Sequence, residues 1–355
     1  MGAELVSRGH RVVWFLDGHR HDLVDPDANP SIVTWPSYRP THLRDALFLF
    51  SQMRRHRPSC VVAVFGSVNL MMLVGWLMRV PVRVAWYQTL ARQLELDSSE
   101  KAIRRQLLRL RKRLVFKFAT NLVAVSQAAK RDLELIYKIE SRRIVVHNNL
   151  LGDPKTPVSQ LSRRKQKNEI VCVARFDRSK GQDVLVRAIS ELASDLPELE
   201  ISFFGTGPTR EACEQLAHKL DVDHMCRFRG SVPHEEILAA LAGAELSVLP
   251  SRSDAFGLAI IESLAVGTPV AASSVGGIPD LVRDGVDGLL VPPDDPKALA
   301  RALKALLQDD ESRSRMMKNA RDRYLSLFNL STRIRDQADW LERLHDPVDG
   351  GHHTN

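Results

Sequence analysis

The sequence predicts an α/β protein made of two consecutive doubly wound units facing each other across a cleft. Three observations predict it. Short strand-like runs alternate with helical runs along the whole chain, the pattern of βαβ units around a parallel sheet. The alternation stops at a polar, basic stretch, 159–168, and then restarts, which divides the 355 residues into two parts of domain size. The β-branched run 60–65 is apolar on both of its faces, as a strand buried in a parallel sheet must be.

The elements follow in order. Residues 2–8 read as the last turns of a helix closed by Gly9, whose missing Cβ suits a helix C-terminus. Strands are predicted at 11–16, 32–35, 60–65, 82–86, 122–125 and 144–147, and helices at 41–56, 68–79, 99–118 and 127–138. Ser126 follows a strand and opens a helix, so it reads as an N-cap. A doubly wound sheet begins with a strand, so the opening strand and its loop are read as missing ahead of 2–8, through a late start or a truncation. The N-terminal domain is placed at 1–152 and the linker at 153–168. In the second half, strands are predicted at 170–174, 200–204, 227–229, 246–249, 270–272 and 289–291. Helices are predicted at 181–194, 208–220, 234–242, 257–266, 277–283 and 296–308. This domain is placed at 169–330. A last helix, 331–347, crosses back to the first domain, and 348–355, with His352 and His353, is a tail without fixed structure.

Composition narrows the function classes. Hydrophobic residues make up 44% and charged residues 26%, which excludes a disordered or fibrous chain. Cys60, Cys172, Cys213 and Cys226 are scattered, with no metal-ligand spacing, so they read as free thiols in a reducing compartment. Residues 59–80 carry no charge except Arg79, but the break at Gly66-Ser67 divides them into a strand and a helix rather than a membrane span. A net charge of +7 suits a phosphate-bearing molecule or an anionic surface. Clustered aromatics for base stacking are absent, so nucleic acid is not expected.

The densest chemical signal is the stretch 251–262. Asp254 lies in a strand-to-helix loop, and Gly257 and Leu258 open the helix with unpaired N–H groups that attract phosphate. Glu262 follows one to two turns later, where a carboxylate can accept from two adjacent hydroxyls. Read alone, the stretch is equally an acidic N-cap region followed by an ordinary helical glutamate. A second signal follows the strand 170–174. Arg175 and Lys180 sit where a strand ends and the next helix begins, and two such cations suit a diphosphate. Gly205-Thr206-Gly207 also follows a strand, but Arg210 stands where a dinucleotide fingerprint needs its third glycine. A close backbone approach to a ligand or a neighbouring loop remains its reading.

With these motifs in view the chain resembles the retaining glycosyltransferases of the GT-B fold, group 4. Asp254 to Glu262 matches the family's acidic residue, seven residues, then Glu, with Asp in place of the usual Glu. Gly257-Leu258 matches its FGL, and Arg175 and Lys180 match its donor-phosphate pair. Gly267-Thr268-Pro269-Val270, the run 276–282 and the run 287–291 match its later segments. The resemblance implies a nucleotide-sugar donor in the second domain and an acceptor, a glycan or a lipid-linked molecule, held by the first. It implies that Glu262 binds the ribose hydroxyls and Asp254 contacts the donor sugar. Gly257 and Leu258, with Arg175 and Lys180, would hold the diphosphate, and Gly205 and Phe256 would lie on the donor side. Cations neutralising the leaving diphosphate would replace a divalent metal, so no metal and no cofactor is expected. Gln88 stands where the family usually carries His on the acceptor side. The leading expectation is a retaining, metal-independent sugar transferase, cytoplasmic or peripheral at the inner face of a membrane. A catalytically inactive sugar-nucleotide-binding protein is the alternative, and an acceptor-free enzyme such as a nucleotide-sugar epimerase a third. Glu262 and Lys180 are expected to be partly exposed in the cleft.

The segment 101–118 interleaves Lys101, Arg104, Arg105, Arg109, Arg111, Lys112, Arg113 and Lys117 with apolar residues at helical spacing. Two readings stand. The helix lies on an anionic membrane, or its apolar stripe packs on its own sheet and leaves a solvated cationic face.

Overall fold

The computed structural model describes residues 1–16, 29–37, 42–98, 102–154, 161 and 168–345. Every strand pairing in it is parallel. The first half contains α1 (Gly2–Ser7), β1 (Val13–Leu16), β2 (Ser31–Thr34), α2 (Leu43–His56), β3 (Cys60–Val64), α3 (Val68–Leu77), β4 (Val82–Tyr87), α4 (Ala91–Asp97), α5 (Ala102–Phe118), β5 (Asn121–Ala124), α6 (Gln127–Leu135) and β6 (Ile144–Val146). Its strands form two sheets among the described residues, β1-β2 and β3-β4-β5-β6, not the one sheet the alternation suggests.

The second half restarts at β7 (Glu169–Val173) and continues through α7 (Gln182–Leu192), β8 (Glu200–Phe204), α8 (Arg210–Lys219), β9 (Cys226–Gly230), α9 (His234–Gly243), β10 (Leu246–Leu249), α10 (Leu258–Ala265), β11 (Val270–Ser273), α11 (Ile278–Leu281), β12 (Gly288–Val291) and α12 (Pro296–Gln308). Its six strands form one sheet in the order β12-β11-β10-β7-β8-β9, a doubly wound sheet whose direction of growth reverses between β7 and β10. In it β7 sits between β8 and β10. In the first half no described strand occupies the equivalent place between β1 and β3.

Local chemistry explains the elements. α12 begins where Asp295 caps it, its carboxylate accepting from the Ala298 N–H at 2.8 Å, with Pro296 at the first helical position. It buries Leu299, Leu303, Leu306 and Leu307 on one face, each burial stabilising by roughly 1.5–3 kcal/mol as an upper estimate. Ser126 is the cap of α6, its hydroxyl accepting from Ala129 N–H at 3.1 Å. Gly9 has φ +89° and its N–H bonds Val6 at 3.0 Å, closing α1.

Two stretches depart from the sequence reading, and one, the run 59–78, matches it. The helix expected at 99–118 is α5, described from Ala102 on, and the separate α4 ahead of it was not foreseen. The uncharged run 59–78 is β3 and α3, joined by a short turn at Phe65–Ser67, and no described helix is long and apolar enough to cross a membrane. After α12 comes an unforeseen helix, α13 (Asp310–Arg323), then one π-helical turn, Tyr324–Phe328, and α14 (Leu330–Arg343). The linker is described only at 153, 154, 161 and 168, and the 348–355 tail lies outside the described residues.

α14 lies on the first half. Its Trp340 ring meets His147 edge-on at 4.9 Å, and Gln337 donates to Asn148 O at 2.9 Å. Arg8 at the end of α1 reaches Asp339 at 2.6 Å and Glu342 at 2.7 Å.

Candidate active site

The site forms where strands end and helices begin, at the carboxyl edge of the second sheet. Four loops meet there, after β7, β8, β10 and β11. Glycines set how closely they approach. A Cβ on Gly205, at φ +131°, would lie 2.2 Å from Ala174 O, and one on Gly276, at φ +56°, 1.9 Å from Asp254 O. No side chain fits either position. Backbone bonds complete the stitching: Phe176 N–H donates to Thr206 O at 2.9 Å and Gly277 N–H to Asp254 O at 3.0 Å.

The structure brings Lys180 and Asp254 together. Lys180 Nζ lies 2.6 Å from Asp254 Oδ2, and Asp254 is buried. The Phe256 N–H donates to Asp254 Oδ1 at 3.2 Å, so the carboxylate is fixed at both oxygens. Lys180 and Glu262 are partly exposed, as the sequence suggests, their side chains 18% and 16% exposed. Glu262 projects from α10, and His234 at the start of α9 places Nε2 3.0 Å from its Oε1. Arg175 is the outlying cation, 71% exposed and held 3.0 Å from Asp177. Burial outweighs that cation and pushes the Asp177 carboxyl above its ordinary range. Gly257, at φ +93°, caps α10, and Leu258 is exposed. Phe256 is buried and packs edge-on to Phe328, so its side chain belongs to the core. Ser251 Oγ and Ser253 Oγ are buried with no hydrogen-bond partner among the described residues.

Sequence reasoning missed the residues that brace this site. Arg252 forks onto Asp183, with two contacts of 2.7 Å, and its N–H donates to Ser179 O, tying the 251–254 loop to the start of α7. Asp97 of the first half accepts from Ser179 N–H at 2.8 Å and from its hydroxyl at 2.7 Å. The Ser126 hydroxyl donates to Ala255 O at 2.7 Å, and Gln127 N–H donates to Asp280 Oδ2 at 2.7 Å. Only Ser126 had a visible signal, as a helix cap. The others pair residues far apart in sequence.

Across the cleft, Gln88 at the end of β4 lines a cavity of about 360 Å³ together with Trp86, Arg105, Arg109 and Lys112. Lys112 turns inward from α5, with Nζ 4.6 Å from the Tyr87 ring centre and 5.4 Å from that of Tyr137. Tyr87 hydrogen-bonds Asp132 beneath it. Desolvation lowers the Lys112 ammonium from 10.5 to about 8, despite Asp132. Its folded pKa is therefore below its unfolded one, and the unfolded chain binds more protons between about pH 8 and 10.5. Stability from this residue rises with pH through that window. Chemical denaturation at several pH values is expected to show wild type gaining on Lys112→Met between pH 8 and 10. A constant difference would mean that the ammonium is not desolvated.

The comparisons with known proteins agree with this architecture. Residues 1–149 match the glycosyl transferase 4-like domain, and residues 156–323 match the glycosyl transferases group 1 family. The chain is 30% identical over 303 residues to a D-inositol 3-phosphate glycosyltransferase of Corynebacterium kroppenstedtii, covering 79% of this chain and 66% of that protein. It is 32% identical over 307 residues to the protein of the same description from Thermobispora bispora, covering 78% and 70%. The match to the Corynebacterium efficiens relative spans only 44% of that protein's length. Among solved structures, the sucrose-phosphate synthase of Thermosynechococcus elongatus superposes with a TM-score of 0.80 at 22% identity, covering 97% of this chain and 91% of that one. Anabaena Alr3699/HepE, solved with UDP and glucose, gives 0.75 at 18% identity, covering 88% and 86%. These two show the GT-B fold, two Rossmann-like domains about a cleft. With that fold and both domain matches in place, the chain belongs to the group 1 glycosyltransferases, with a glycosyl transferase 4-like first domain.

Proposed function

We propose that the protein transfers a sugar from a nucleoside diphosphate sugar to an acceptor hydroxyl, with retention of anomeric configuration and without a metal ion. The observation that carries the reading is the Lys180–Asp254 contact beside the amide end of α10. Negative charge grows on the diphosphate as the bond from sugar to phosphate breaks. A nearby ammonium and preorganised N–H groups stabilise that charge most where it is largest, in the transition state. In this reading Lys180, Arg175 and the N–H groups of Gly257 and Leu258 take the diphosphate. Glu262, oriented by His234, accepts from the ribose hydroxyls. Asp254, held by Lys180 and Phe256 N–H, accepts from a hydroxyl of the donor sugar. The unpartnered Ser251 and Ser253 hydroxyls support a polar ligand here, since a buried hydroxyl left unpaired costs about 1–3 kcal/mol. Gln88 and the cavity behind it receive the acceptor, a glycan or a lipid-linked molecule. The relatives described as acting on D-inositol 3-phosphate, and the neighbour solved with UDP and glucose, favour a uridine donor and a phosphate-bearing acceptor for that cationic cavity.

A thermal-shift screen of nucleotide sugars followed by transfer assays in EDTA tests this. A uridine diphosphate sugar is expected to raise the melting temperature by mass action, and transfer is expected to persist in EDTA with the donor's anomeric configuration retained in the product. Binding without turnover, loss of activity in EDTA, or an inverted product each overturns the reading.

A further inference from the structure

α5 carries two apolar faces, and only one is used inside the fold. Leu108, Val115 and Phe116 turn inward with Arg105 and Lys112. On the opposite side lie Ile103, Leu107, Leu110 and Leu114, spaced i, i+4, i+7, i+11, so that they form one straight row along the helix. They are 76%, 61%, 61% and 54% exposed. Of the two alternatives left open by the sequence, packing of the apolar stripe on the sheet does not have this form, because the straightest apolar row faces away from the sheet. The helix has no acidic residue, and its exposed Arg111 lies on one flank of the row with Arg113 and Lys117 on the other. α3 runs beside α5, the Trp76 ring 4.9 Å from that of Phe118, and it too leaves Trp76 and Leu77 exposed.

We infer that this face of the first domain lies on an anionic lipid membrane, with the leucine row in the acyl boundary and the flanking cations at the head groups. An apolar row between two cationic flanks, with a tryptophan beside it, is the arrangement that satisfies both layers of a bilayer surface at once. α5 is 17 residues long, about 25 Å, and lies flat rather than spanning. Charge excludes the competing occupants. A second copy of this chain seated on the same face would set cations against cations. A nucleic acid would pair with the cations but leave the leucine row in water. The Gln88-lined cavity sits on the inner side of the same helix, so it lies about one helix diameter, roughly 10 Å, from the lipid.

Flotation of the full chain with vesicles tests this without any nucleotide or sugar, so its failure leaves the transferase reading untouched and the converse also holds. The vesicles are phosphatidylcholine alone and phosphatidylcholine with about one third phosphatidylglycerol. Wild type is expected to float with the anionic vesicles only, and less as salt rises. The double variant Leu107→Ser/Leu110→Ser is expected to lose at least about tenfold in partitioning while keeping its melting temperature. Arg113→Gln/Lys117→Gln, which leaves the leucine row intact, is expected to weaken binding to anionic vesicles alone. Absence of wild-type flotation, equal binding of wild type and the leucine variant, or a leucine-dependent dimer or DNA complex in place of vesicle binding overturns the inference.

Discussion

Lys180→Ala is expected to lower the rate of sugar transfer by about 10²–10³-fold, the scale on which a single transition-state charge stabiliser acts. The substitution does a second thing, which follows from the 2.6 Å contact to a buried carboxylate. It leaves Asp254 without its cation in a site of low solvent access. Breaking a buried pair from one side costs more than the pair is worth, so stability should fall by about 1–3 kcal/mol. The two effects separate in the double variant Lys180→Ala/Asp254→Asn. Removing the orphaned charge should restore the denaturation midpoint, whereas transfer should stay low because the diphosphate still lacks its ammonium. Glu262→Ala serves as the companion: His234 stays exposed to water, so stability should change little while transfer drops. Recovery of transfer in the double variant would make Lys180 a structural partner of Asp254 and remove it from catalysis.

The second large effect is expected from Gly276→Ala. The new Cβ would stand 1.9 Å from Asp254 O, and its backbone at φ +56° already disfavours a side chain. One of the two loops must move. The Gly277 N–H bond to the same carbonyl, 3.0 Å, cannot survive that displacement. The expected result is a loss of at least about 2 kcal/mol in equilibrium unfolding, with donor affinity falling alongside, because the disturbed contact is between the Gly276 loop and the loop that carries Asp254. Gly285→Ala is the control. It too has positive φ, at +73°, but nothing lies within 4 Å of its Cβ position. Its cost should be confined to backbone strain, about 1 kcal/mol. Equal losses in the two variants would show that strain, not the loop contact, sets the price.

Much of the architecture was legible because it rests on local patterns. Apolar runs such as 200–204 and 246–249, followed by glycine or serine and a helical period, located most strands to within a residue or two. The placement of Asp254, Gly257 and Lys180 at the carboxyl edge of the second sheet was legible for the same reason, since all three follow strand ends. Three things were not. α13 is hidden by its polarity: the residues it buries include Arg313, whose guanidinium reaches Glu245 68 residues away. The division of the first sheet depends on pairing between distant strands, which no single run encodes. For α5 the spacing contains both apolar rows, but which one meets the sheet is decided by packing against α3. His234 as the partner of Glu262, and Asp97 as the partner of Ser179, were invisible because each pair is assembled by the tertiary fold.

The hydrogen bonds that join the two halves have a kinetic consequence. Ser126 to Ala255, Gln127 to Asp280 and Asp97 to Ser179 fasten the carboxyl edge of the second sheet to α4 and α6 at separate points along the crevice. Widening the crevice along its whole length releases these bonds, at a net cost of about 1 kcal/mol for each. In the proposed transferase, exchange of spent nucleotide for fresh donor would carry that cost whenever it needed a wider crevice.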